Sequence, residues 1–66
     1  MDLEEFCVDH AISYQKTFNH INGCMIYSFK GGMQEIAIQV KMEDFDDYYK
    51  LADHLINTLY NRGLVD

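Results

Sequence analysis

Cys7, His10, His20 and Cys24 are the side chains of this 66-residue sequence best suited to ligate a metal or attack an electrophile. Cys7 and His10 stand three apart, one helical turn, and His20 and Cys24 flank Asn22-Gly23. Structural zinc usually takes short Cys-x-x-Cys pairs, because two thiolates must reach one tetrahedral ion, and the sequence has none. A nucleophile needs a positioned base and a pocket of roughly 300 Å³ or more, which so short a chain hardly encloses. Gly31-Gly32 is followed by a strand pattern, with no helix and no P-loop lysine after it, so it is not a phosphate cradle. The expectation is a protein with no catalytic residue, no metal and no cofactor.

The carboxylates are a second group with chemical potential. Glu43, Asp44, Asp46 and Asp47 run directly into Tyr48 and Tyr49, with Asp53 four residues beyond Tyr49. Acids beside tyrosines can imitate a phosphate backbone with its bases, or dock on a basic groove while tyrosine supplies the buried anchor. Glu43, Asp44, Asp46, Asp47, Tyr49 and Asp53 are therefore the candidate partner-binding residues. Asp2, Glu4, Glu5 and Asp9 form a second acidic group. Helix dipoles and solubility also account for acids in these places, and the sequence leaves both accounts open.

Eleven acidic residues against five basic ones give a net charge of −6. Direct binding of nucleic acid relies on Lys and Arg to neutralise phosphates, so this field disfavours it. It suits a protein partner with a basic surface. No apolar run nears the ~18 residues of a membrane span. The acidic MDLEEF start is unlike a secretory signal, so the expected compartment is the cytoplasm with both cysteines reduced.

The elements that must carry these residues follow from periodicity. Leu3, Cys7, Ala11, Tyr14, Phe18 and Ile21 recur at threes and fours, which predicts a helix over about 2–20 that stops at Asn22-Gly23. Val8 and Ile12 fall to one side of that stripe and Phe6 to the other, more apolar surface than one helix needs to cover a ribbon. Alternation on both sides of Gly31-Gly32 predicts a hairpin over about 24–42 with a type I′ turn. That turn pairs Lys30 with Met33, Phe29 with Gln34, Tyr27 with Ile36 and Met25 with Ile38. Met25, Tyr27, Phe29, Ile36, Ile38 and Val40 then share the inner face, and Ile26 lies on the reverse. A second helix is predicted over about 43–62, with Asp44 as N-cap, Gly63 past its end, and Leu64 folding back on Leu59.

The expected fold is one small α+β domain over 1–66: an α-β-β-α order with a two-stranded antiparallel hairpin packed on two helices. A lone ribbon leaves two open edges, and a chain this short buries only about 60% of its unfolded surface. A homodimer answers both, through a four-stranded sheet or through helix packing, with Phe6, Val8, Ile12 and Ile26 as the self-association residues. The element order is superficially like that of the double-stranded RNA-binding domain, but the chain does not match that family. That family has three strands and a lysine-rich start to its last helix, whereas this chain reads MEDFDDYYK there. In size, acidity and lack of motif the chain looks like the small accessory proteins of phages and mobile elements, many of which inhibit host enzymes. The functional expectation is a non-catalytic inhibitor that occupies the basic surface of a host nucleic-acid-processing or defence enzyme. The alternative is a structural or assembly subunit that buries its surplus apolar faces against another chain.

Overall fold

A computed structural model describes residues 2–65. The elements run α1 (Leu3–Asp9), β1 (Ser13–Asn19), β2 (Cys24–Gly31), β3 (Gln34–Lys41), one 3-10 turn (Met42–Asp44) and α2 (Tyr48–Asn61). The strands form an antiparallel sheet in the order β1-β2-β3. The class is α+β, with three strands where two were expected.

The expected helix over 2–20 is corrected first. Asp2 caps α1, its Oδ1 accepting the Glu4 backbone N–H at 3.2 Å. The helix ends after two turns because Ala11 enters the left-handed region, φ +55°. The Ile12 N–H then reaches the Cys7 carbonyl at 2.8 Å, and the Ala11 N–H reaches that of Val8 at 3.2 Å. These two bonds are a Schellman ending, which places Ile12 beside Cys7 in the core and sends the chain out extended. The next seven residues pair along β2 up to Lys30, from Ser13 opposite Lys30 to Asn19 opposite Cys24. Asn22-Gly23 closes this hairpin instead of a helix. Asn19 Oδ1 accepts from the Ile21 N–H, Asn22 Oδ1 from that of Cys24, and Gly23 takes φ +70°.

The second hairpin keeps its expected face but shifts its turn by one residue. Gly31 pairs with Gln34 and Lys30 with Glu35, so Gly32-Met33 forms the loop. Only Gly32 has positive φ, the pattern of a type II′ turn rather than I′. Each residue of β2 therefore meets a partner two places further along β3 than expected, and the two-residue period leaves the inner face unchanged. Gly31 now lies in a tight contact. A Cβ on Gly31 would stand 3.3 Å from Ile12 Cγ1 and 3.6 Å from Leu64 Cδ1, so this glycine serves packing and not the turn.

Both helices cover the inner face. Leu3, Phe6 and Cys7 of α1 and Leu51, Ala52, Leu55 and Leu59 of α2 join Tyr27, Phe29, Ile38 and Val40 in one core cluster. The N-cap of α2 is Asp47 and not Asp44, its Oδ1 accepting the Lys50 N–H at 2.9 Å. At the other end the Leu64 N–H bonds the Leu59 carbonyl at 3.0 Å, with Gly63 at φ +81°, the Schellman ending expected there.

Candidate functional site

The two acidic groups meet through a tyrosine. Tyr48, the first residue of α2, donates its hydroxyl to Asp2 Oδ1 at 2.8 Å and accepts the Leu3 backbone N–H at 3.2 Å. The starts of α1 and α2 are thereby tied side by side. Burial, and then the hydrogen bond to the Asp2 carboxylate, push the Tyr48 hydroxyl up to about 12, so it remains a neutral donor through the physiological range. Tyr14 is raised by burial and, after that, by the Glu4 carboxylate, which places it near the same end.

The expected partner-binding residues all lie on the surface. Glu43 and Asp44 are exposed in the 3-10 turn, and Asp46 and Asp47 are exposed just before α2. Asp46 holds Lys50 only loosely, at 3.6 Å between largely exposed groups. Tyr49, 66% exposed, packs edge-on against Tyr48, and Asp53 stands one turn further along the same flank of α2. Acidic charge and an exposed aromatic ring thus share one end of the molecule.

The expected self-association residues do not share a surface. Phe6 and Ile12 are buried in the chain's own core, at 2% and 7% exposure, Phe6 on α1 and Ile12 where the turn after α1 bonds it back to Cys7. Val8 is 78% exposed on the helix layer, whereas Ile26 is half-buried on the sheet face away from the helices.

Beside the joined helix starts runs a groove of about 330 Å³ between the inner face of the sheet and the approach to α2. Met25, Met42, Phe45 and Leu51 give it an apolar lining, Asp46 and Asp47 line one side, and Lys16 lines it from β1. Phe18, opposite Met25 in register, is 42% exposed and extends the apolar surface towards the first hairpin loop, where Ile21 is fully exposed. Sequence reasoning missed Lys16, Met25 and Met42 as a group. No local signal joins them, since the groove exists only once β1 lies on the sheet.

Both cysteines are free and buried. Cys7 is buried in the core, and burial raises its thiol, which lowers its reactivity. His10 Nδ1 donates to the Phe6 carbonyl at 3.0 Å and its ring stacks on Phe6. Cys24 is buried beneath the first hairpin loop, its Sγ 3.7 Å from the Asn22 carbonyl. Among the described residues no three His, Cys, Asp or Glu side chains are placed to hold a metal ion, and no helix is long and apolar enough to cross a membrane. Comparison with protein families, curated proteins and solved structures finds no match to the chain.

Proposed function

We propose that this chain is a non-catalytic protein-interaction protein that inhibits a host nucleic-acid-processing or defence enzyme by occupying a basic surface on it. The observation that carries this reading is the Tyr48–Asp2 hydrogen bond, which gathers two acidic helix starts into one end of a chain with a net charge of −6. A concentrated negative end beside exposed tyrosines is complementary to a surface that evolved to hold phosphates. Long-range attraction brings the partner in, and the tyrosines supply desolvated contact once it arrives.

The test is affinity capture from host lysate over a salt series, then identification of the captured protein and assay of its activity with added chain. The expected result is a nucleic-acid-processing enzyme, captured at low salt, released as salt shortens the Debye length, and inhibited by the chain. Capture of nothing at low salt, or of an enzyme whose activity the chain leaves unchanged, refutes the reading.

The exposed Phe18, Ile21 and Met42 favour a second reading, an assembly subunit that buries this apolar end against another chain. It differs in salt response, because apolar burial survives high ionic strength. Self-association of two copies belongs to the same proposal, with Val8 and Ile26 as the residues that have surface to offer.

A further inference from the structure

We propose that the groove beside α2 receives a single long cationic side chain, arginine or lysine, from an extended segment of the partner. This rests on the function proposed above and names the part of the partner that is recognised. The apolar lining suits the stem of such a side chain, because arginine and lysine lay their methylenes along apolar surface and keep the charged head at a polar edge. Met25 and Met42, unbranched and flexible, adapt to either stem. The polar edge is Asp46 and Asp47. Asp47 spends Oδ1 on its helix cap, and Asp46 is held only at 3.6 Å by an exposed lysine, so both carboxylates have acceptor capacity for an incoming cation.

Lys16 decides between one cation and many. It is the only basic residue lining the groove, and it stands on β1 opposite Tyr27. Its ammonium repels a second cation and donates to the carbonyls of an extended backbone. A volume of about 330 Å³ has room for one long side chain. The groove therefore selects an isolated arginine or lysine flanked by apolar residues.

The experiment is an NMR titration of the full isotope-labelled chain at low salt. The probe is a blocked pentapeptide with one arginine between leucines, run beside its glutamine and glutamate counterparts. Saturable shifts are expected at the amides of Lys16, Met25, Met42, Phe45 and Leu51 with the arginine peptide, and none with the glutamine peptide. Asp47→Asn keeps the helix cap, since asparagine caps as well as aspartate, and should weaken binding about three- to tenfold, the scale of one charge-assisted contact. Lys16→Gln should leave binding equal or tighter.

Equal binding of the glutamine or glutamate peptide overturns the inference, as does absence of saturation with every peptide. Shifts confined to residues 2–9 or to Tyr49 and Asp53 overturn the groove while leaving the acidic-surface reading intact. Concentration-dependent shifts at the groove without peptide make a second copy the occupant and overturn it as well. The function itself is decided separately by lysate capture, so the two failures are distinguishable.

Discussion

Ala11 holds a left-handed backbone that an L residue reaches only at some cost, because its Cβ crowds the following carbonyl. Glycine lacks that penalty but has more freedom to lose on folding, so the net gain from Ala11→Gly is about 0.5–1 kcal/mol. In a domain this small that raises Tm by several degrees, about 4–8 °C per kcal/mol. Thermal unfolding checks it; an unchanged or lower Tm means that Ala11 is not strained. Tyr48 gives a second prediction, in pH. An unfolded tyrosine titrates near 10, whereas Tyr48 in the fold is raised to about 12. Between those values the unfolded chain releases its proton first, so stability is intact below pH ~10 and falls as pH rises to ~12. Tyr48→Phe should flatten that part of the decline in urea midpoints, leaving what burial of Tyr14 and Tyr27 adds. An identical slope in the variant removes Tyr48 from the account.

At the scale of elements, the two hairpins depend on how the chain before and after them packs. Gly31 ends β2 against Ile12 and Leu64, which enter from opposite ends of the sequence. Gly31→Val should cost about 1–3 kcal/mol by overpacking, measured as a lower denaturation midpoint, although valine is the better strand former. No loss means that Ile12 and Leu64 can retreat. The same contacts explain which elements were legible. The inner face of β2 and β3 and the ending of α2 were readable because alternation, Gly63 and Leu64 all point one way. The end of α1 was not, because its left-handed residue is an alanine. Tyr14 and Phe18 stand four apart, a spacing that fits a helix stripe and a strand face alike, and Lys16 interrupts the alternation between them. Asn22-Gly23 is a turn signal in either context. Of the site, the acids and Tyr49 were legible one by one. Their gathering was not, because Tyr48 and Asp2 are 46 residues apart and only tertiary packing joins them.

For the whole molecule, charge and apolar surface pull self-association and partner binding in opposite directions with salt. Two copies at −6 each repel, so any homodimer forms against its own field and must rest on apolar contact. Surfaces available for it include Val8 on the helix layer, Ile26 and Ala37 on the open sheet face, the apolar end with Phe18, Ile21 and Met42, and the unpaired edges of β1 and β3. Screening weakens the repulsion and leaves apolar burial in place, so a homodimer should gain population as salt rises, while a complex with a basic partner should lose it. Light scattering on eluting protein at low and high salt reads this directly against the 7.8 kDa of one chain. Val8→Asp adds a charge to an exposed helix position and should leave the fold intact, whereas Ile12→Asp buries a carboxylate and should unfold it. If the dimer uses the helix layer, Val8→Asp elutes as monomer at every salt while the native chain does not. If Val8→Asp dimerises as the native chain does, the interface lies away from the helix layer, on the sheet face, its edges or the apolar end with Phe18, Ile21 and Met42. A native mass of one chain at all salt concentrations removes the homodimer, and under the proposed function a single copy would then meet the basic partner.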